Sequence, residues 1–270
     1  MIETGFRRSA LGGAESIFTV SNGHLGLRGN LDEGEPRDTT GTYLNGFYEN
    51  YSLEYGERGF GFPEDGQSVV PVTDGKLLRV LVEDEPLDLE RGTIESQSRR
   101  LDLRTGILER ELVWRSAYGE VVRIRSRRLV SFVQRSVAAI EFRVEALERP
   151  LRIGVQSLLI ANDSEDASHG DPRVGRQLWM PLEPQLAVAD GMRAVLAHRT
   201  RRSQLAMAAG MDHRVACDSD ATIGIDTDVD EDLARVMFTV RLTPGCPLTA
   251  PPIPSRPRAT ATRLWSCRAR

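Results

Sequence analysis

Ile140-Glu141-Phe142-Arg143-Val144-Glu145 alternates apolar and charged residues without a break. An extended chain turns successive side chains to opposite faces, so a period of two describes a strand with one buried and one wet face. The pattern recurs on both sides. Leu108, Arg110, Leu112 and Trp114 interleave with Glu109, Glu111 and Val113, and Val122 and Ile124 oppose Arg123 and Arg125. Downstream, Leu151, Ile153 and Val155 repeat it, and Val236, Phe238, Val240 and Leu242 stand against Met237, Thr239 and Arg241. Turn pairs fall between these runs at Tyr118-Gly119, Arg149-Pro150, Asp190-Gly191 and Pro244-Gly245. No stretch has the period of a long helix, and Asp230 to Leu233 offers room only for a short helical turn. Each sheet of such strands has one face that must be covered. The expected fold is therefore all-β: a large antiparallel β-sandwich with few short helices.

Composition narrows the functional classes. The chain has 270 residues, 40% apolar and 27% charged, with a net charge of −4. Lys76 is the only lysine among 35 basic residues. The densest basic run, Arg123, Arg125, Arg127 and Arg128, has no aromatic residues between its members, and alternation places three of the four on one strand face. That describes a solvated face and excludes a nucleic-acid stripe. Three cysteines, Cys217, Cys246 and Cys267, form no CxxC pair and no disulfide framework, which suits a reducing cytoplasm. No apolar h-region opens the chain and no apolar run approaches a membrane span.

The N-terminal portion reads differently. Ala14 to Asn30 contains the strand formers Ile17, Phe18 and Val20, then the turn pair Asn22-Gly23, with Gly23, Gly26 and Gly29 spaced by three. The glycines lack both the GxGxxG and GxxxxGK spacings, so they indicate a tight strand-turn-strand crossing rather than a phosphate cradle. Asp32 to Thr40 is a polar connection, and Tyr43, Leu44, Phe47 and Tyr48 open the next apolar segment. Two loops, residues 54–74 and 162–184, exceed what hairpins need and are expected to be functional or interfacial.

Several blocks resemble glycoside hydrolase family 65, which contains maltose, trehalose and kojibiose phosphorylases and related hydrolases. They are Glu15-Ser16, Asn22-Gly23-His24-Leu25-Gly26-Leu27-Arg28-Gly29 and Gly41-Thr42-Tyr43-Leu44-Asn45-Gly46. Arg100 to Leu108, Trp114 with Gly119, Leu129 to Phe132, and Asp171-Pro172-Arg173 follow in the same order. The resemblance covers roughly Phe6 to Gly245, which in that family is only the N-terminal domain, a galactose-mutarotase-like super-sandwich. It implies partners outside this chain: a catalytic α/α barrel carrying the general acid, an α-linked disaccharide, inorganic phosphate, and a second copy in a homodimer. It implies no catalytic residue, cofactor or metal within the chain.

The residues themselves agree on chemistry. Glycoside cleavage generally takes one carboxyl group as acid and a second as base or nucleophile. The densest acidic groups, Glu33 with Glu35, Glu83 to Glu85 and Asp226 to Asp232, read as solvated loops. His24, His169, His198 and His213 show no metal-ligand spacing, and His169 among Asp163, Asp166 and Asp171 reads as a solvated loop before a metal cluster. Sugar sites combine aromatic faces with planar polar side chains. Tyr43, Asn45, Phe47, Tyr48, Glu49 and Tyr51 provide that mixture on one segment, and Trp179 beside Gln177 and Arg173 provides another. The competing explanation is core packing for alternate members of the first group and domain-interface packing for the second. With Arg28 from the resembling block, the substrate-rim or domain-interface candidates are Arg28, Tyr43, Asn45, Tyr48, Glu49, Arg173 and Trp179.

Residues 1–246 are expected to form the sandwich, and 247–270 a Pro/Arg-rich irregular tail. The tail has five prolines, five arginines and no acidic residue, and apolar alternation stops after Leu242. A frameshift near Gly245 or Cys246 and a natural disordered tail both account for it. Three functions compete: a non-catalytic N-terminal domain of a family 65-like enzyme, a free-standing carbohydrate-binding module, and a complete enzyme with its own carboxylate pair. The low aromatic content of 6% argues against the second, and the lack of a barrel against the third.

Overall fold

A computed structural model describes residues 1–53, 59–163, 180–217, 221–250 and 263–269, the last seven and Ala250 through their backbone alone. The chain opens with β1 (Ile2–Thr4), a 3-10 turn at Arg8–Ala10 and helix α1 (Leu11–Ile17). Three short strands follow, β2 (Val20–Ser21), β3 (Leu25–Leu27) and β4 (Thr42–Leu44), then a ribbon of β5 (Tyr48–Ser52) and β6 (Asp65–Val69). Next come β7 (Leu78–Val82) and β8 (Glu85–Pro86), and five long strands, β9 (Thr93–Asp102), β10 (Ile107–Arg115), β11 (Val121–Val130), β12 (Val137–Ala146) and β13 (Leu151–Ile160). The last third adds β14 (Leu182–Asp190), β15 (Arg193–Thr200), β16 (Ala206–Asp212), β17 (Ala216–Cys217), β18 (Gly224–Val229), β19 (Leu233–Leu242), β20 (Leu248–Ala250) and β21 (Arg263–Ala269).

Two sheets carry the architecture. The larger runs β1-β9-β10-β11-β12-β21-β16-β15-β14, and the smaller β18-β19-β13-β7-β8. Strands hold 54% of the described residues and helix 4%, which makes the fold all-β as the alternation requires. Leu112, Trp114, Ile124, Ile140, Phe142 and Val144 from the large sheet pack on Val80, Val82, Ile153, Val155, Val240 and Leu242 from the small one. Burial of these two inner faces removes apolar surface from water and drives the sandwich. A second core cluster joins Phe18, Leu25, Leu27, Leu44 and Phe47 to Leu159, Leu196, Val236 and Phe238. The β2–β3–β4 meander thereby covers part of the sandwich.

The outer face of β11 is neutralised by its neighbours. Arg125 pairs with Glu111 at 3.2 Å and Glu145 at 3.3 Å, and Arg127 with Glu109 and Glu141, both at 3.2 Å. Cross-strand carboxylates thus interleave the arginines.

Three local expectations change. Ile17 and Phe18 are not in a strand: Ile17 ends α1 and Phe18 caps it, its N–H donating to the Ala14 carbonyl oxygen at 2.9 Å. The Phe18 ring is buried, and the Arg99 guanidinium lies 4.8 Å from its centroid. Asp230 to Leu233 is the β18–β19 hairpin turn, not helix, closed by Asp230 N–H donating to the Leu233 carbonyl at 2.7 Å. The tail beyond Pro247 is not wholly irregular, because β20 pairs with β12 and β21 pairs with both β12 and β16. Both flanking strands otherwise present unpaired backbone edges, and main-chain hydrogen bonding to an added strand satisfies them.

Gly29 marks a close backbone crossing. A Cβ there would stand 2.7 Å from Phe18 Cβ and 2.8 Å from the Phe18 carbonyl carbon. Gly29→Ala is therefore expected to cost about 1–3 kcal/mol through overpacking. A urea melt should show a lower midpoint at unchanged slope; an unmoved midpoint would mean that the crossing yields freely.

Candidate functional site

The meander is fixed from its first turn. Asn22 Oδ1 accepts from the backbone N–H of His24 and Leu25, both at 2.9 Å, while its Nδ2 donates to the carbonyls of Ser131 at 2.6 Å and Arg135 at 2.9 Å. Gly23 takes φ +80°, which glycine adopts without strain. The register pairs Ser21 with Gly26, Gly26 with Tyr43, and Leu25 with Leu44. Because faces alternate, Leu25, Leu27, Thr42 and Leu44 turn inward and are buried, while Ser21, Gly26 and Tyr43 share the outer face. Asn45 N–H donates to the His24 carbonyl at 2.8 Å, which brings these two residues together at the end of the same face.

An open cleft of about 360 Å³ lies over this face, lined by Ser21, His24, Tyr43 and Asn45 with Val69 from β6 at its edge. Gly26 forms part of the floor, where the only atom within 4 Å of an added Cβ is Ser21 Cβ at 3.7 Å. Among the described residues, no carboxylate, Lys or Arg lines the cleft. It can exchange hydrogen bonds with a neutral polar ligand, but it cannot supply the two carboxyl groups that glycoside cleavage uses.

A second open cleft, about 560 Å³, borders the β5–β6 ribbon and includes Asn50, Tyr51, Asp65, Gly66, Gln67 and Arg202. The Tyr51 ring lies across Gly66, where an added Cβ would come 2.7 Å from Cζ. Glu49 anchors the ribbon to the β15–β16 turn, accepting from the N–H of Arg202 at 2.9 Å and of Ser203 at 2.7 Å. Burial raises the Glu49 carboxyl pKa, and these backbone donors more than reverse it, leaving the group below the usual carboxylate range.

The candidate residues divide accordingly. Tyr43 and Asn45 meet in the meander cleft. Tyr48 is half-buried opposite Val69, and Glu49 is buried against the turn it anchors. Arg28 lies beside Tyr43, its Cβ and Tyr43 Cε2 standing 2.8 and 2.9 Å from the Cβ position of Gly41. Its guanidinium is turned to other partners: Nε donates to Glu15 at 3.2 Å, Nη2 to the Gly12 carbonyl at 3.1 Å, and Asp38 stands 3.7 Å away. Glu15, fully buried, also accepts from the backbone N–H of Asp38 at 3.2 Å, so Arg28 and Glu15 tie α1 to the following loop. Arg173 and Trp179, like His169, Asp166 and Asp171, lie outside the described residues, while Asp163 accepts from Arg37 Nη1 at 2.6 Å and Nη2 at 3.1 Å. His24 and Ser21 join the site only through register, which sequence spacing does not reveal.

One acidic group is not a solvated loop. Asp32 and Glu33 are 2% and 4% exposed. Asp32 accepts from Arg128 Nη2 at 2.7 Å, Ser126 Oγ at 2.6 Å and Arg110 Nη1 at 3.3 Å, and Glu33 accepts from Arg110 Nη1 at 2.8 Å. Arg110 stands in the apolar phase of β10, between Leu108 and Leu112, and so faces inward where it needs an anion. Asp84 pairs with Arg152 at 2.5 Å, and Asp226 and Asp228 lie 3.6 and 3.8 Å from Arg235. Among the described residues, none of these carboxylates lines either cleft as a pair, and no group of three His, Cys, Asp or Glu could hold a metal.

The description "Glycosyl hydrolase family 65, N-terminal domain" matches residues 1–250. The chain belongs to glycosyl hydrolase family 65. An uncharacterized glycosyl hydrolase of Mycobacterium leprae is 50% identical over 243 residues, covering 90% of this chain and 30% of that protein. The alpha,alpha-trehalose phosphorylase of Thermoanaerobacter brockii is 30% identical over 253 residues, covering 92% of this chain and 32% of that protein. A solved structure described as a kojibiose phosphorylase from human microbiome superposes with a TM-score of 0.82 over 100% of this chain and 32% of its own, at 20% identity. That likeness supports the fold. The chain spans about a third of the length of these family 65 relatives.

Proposed function

We propose that this chain is the non-catalytic N-terminal sandwich of a family 65 enzyme acting on α-linked glucosides such as trehalose, maltose or kojibiose in the cytoplasm. It supports a catalytic barrel, shapes the rim of that barrel's substrate site and shares in a homodimer. The observation that carries this reading is the lack of a paired-carboxylate cleft among the described residues, in a chain matching only about a third of phosphorylase length. Exposed apolar groups at one end of the large sheet support an interface. Phe132 and Val133 sit in the β11–β12 turn held by Asn22, and Phe132 Cε2 is 3.9 Å from the Cβ position of Gly106 in the β9–β10 turn, which also carries exposed Leu103. An obligate partner domain would cover them.

The purified 270-residue chain, given trehalose, maltose or kojibiose with inorganic phosphate, is expected to release no glucose 1-phosphate and no free glucose. Turnover of any of these would overturn the reading. The uncharged meander cleft favours a second reading, a free-standing carbohydrate-binding module, in which the chain binds glucans without a partner domain.

A further inference from the structure

We infer that the outer face of the β2–β3–β4 meander is a binding site for a neutral glucosyl unit, centred on Tyr43 and Asn45 and completed by His24 and Ser21. The choice of sugar class rests on the family 65 reading above; the location rests on geometry. Tyr43 and Asn45 are two residues apart, and the register sets Gly26 beside Tyr43 and Ser21 beside Gly26. An aromatic ring, an amide, an imidazole and a hydroxyl therefore converge over one glycine-floored depression. Apart from the weak 3.5 Å approach of the Tyr43 hydroxyl to the Thr40 carbonyl, and Ser21 Oγ accepting from Gly23 N–H at 3.3 Å, these side chains hold no hydrogen bonds of their own. Their donors and acceptors remain available.

Charge selects the ligand. Among the described residues the lining holds no Lys or Arg, the neighbouring Arg28 guanidinium being taken by Glu15 and the Gly12 carbonyl, so no free cation meets a phosphate or carboxylate. Among the same residues it holds no Asp or Glu to form an oxygen cage for a metal. Buried Leu25 and Leu44 lie beneath, and the lining combines apolar surface, Val69 at one edge, with the polar row. A neutral polyhydroxylated ring, with an apolar face for Tyr43 and hydroxyls for Asn45, His24 and Ser21, fits this lining. The ribbon cleft is the weaker candidate. There Tyr51 pairs with Gly66 on one face while Asn50 pairs with Gln67 on the other, so the aromatic and amide groups diverge, and Asp65 and Arg202 add charge.

The test is a titration of the 270-residue chain with maltose and with trehalose, followed by backbone amide shifts. Saturable shifts are expected in Ser21 to Gly26 and Tyr43 to Gly46. Tyr43→Ala should weaken binding at least about tenfold with the circular dichroism spectrum retained. Asn45→Ala, at an exposed position, serves should the tyrosine variant fail to fold. Arg202→Ala in the ribbon cleft should leave affinity unchanged. Absence of saturable binding to either sugar would overturn the site, as would binding weakened by Arg202→Ala but not by Tyr43→Ala or Asn45→Ala. Failure here with no turnover sinks the site alone, whereas turnover sinks the non-catalytic reading.

Discussion

Replacing Asp32 with alanine is expected to remove about 3–5 kcal/mol of folding free energy, because it strands buried cations. Asp32 is shared by Arg128, Arg110 and Ser126, and both arginines are 5% exposed or less. Glu33 then remains on Arg110, while Arg128 keeps the Arg28 and Asn30 carbonyls at 3.4 and 3.5 Å and the field of Asp74. A domain of this kind has roughly 5–15 kcal/mol of stability in all, so the variant should melt at a much lower urea concentration or fail to accumulate. Asp32→Asn keeps the shape and part of the hydrogen bonding, and is expected to fall between the two. A loss below about 1 kcal/mol for the alanine variant would show that solvent reaches these arginines.

The same carboxylate sets an acid limit. Burial raises the Asp32 pKa, and Arg128, Arg110 and the Ser126 hydroxyl together overcome it, so the folded-state value lies below the ordinary 3.8. Asp74 is depressed in the same way, burial being outweighed by Lys76. For such groups the unfolded chain binds more protons at acid pH. Their contribution is therefore complete above the unfolded value and is lost as pH falls through the folded one. Unfolding measured from pH 6 downward should steepen below about pH 4 in the native chain and less so in Asp32→Ala.

Much of the sandwich is legible because alternation reports burial directly. Ile140, Phe142 and Val144 are each 3% exposed or less, in the phase that the sequence assigns them. The differences share one cause: residue type alone carries neither phase nor partner. Asp32 and Glu33 have the composition of a wet loop, yet Arg110 in the apolar phase of β10 already announced a buried anion. Ile17 and Phe18 are strand formers by preference, but Phe18 is needed as the helix cap beneath Arg99. Of the proposed site, Tyr43 and Asn45 stand out through the aromatic and planar polar mixture of their segment. His24 and Ser21 come from neighbouring strands, and only register unites them with the other pair. Glu49 carries a sugar-site residue type, but the β15–β16 turn occupies its carboxylate.

Lys76 should behave as no surface lysine would. It is the chain's only lysine, yet it is 1% exposed. Its ammonium donates to Asp74 and lies 3.4 Å from both the Gly41 carbonyl and Thr42 Oγ1. Asp74 Oδ1 in turn accepts from Thr42 Oγ1 at 3.1 Å and the Lys76 backbone N–H at 2.9 Å. Lys76→Met leaves that carboxylate buried without its cation and is expected to cost about 3–5 kcal/mol. The double variant Asp74→Leu/Lys76→Met removes both charges and should recover most of that loss, since an apolar pair need not be desolvated against its preference. Amine acylation gives an independent readout: Lys76 in the native chain should react only as fast as the protein opens, and at once in denaturant. A double variant as unstable as the single one, or prompt acylation under native conditions, would place Lys76 in water and remove the pin that joins β4 to the sandwich.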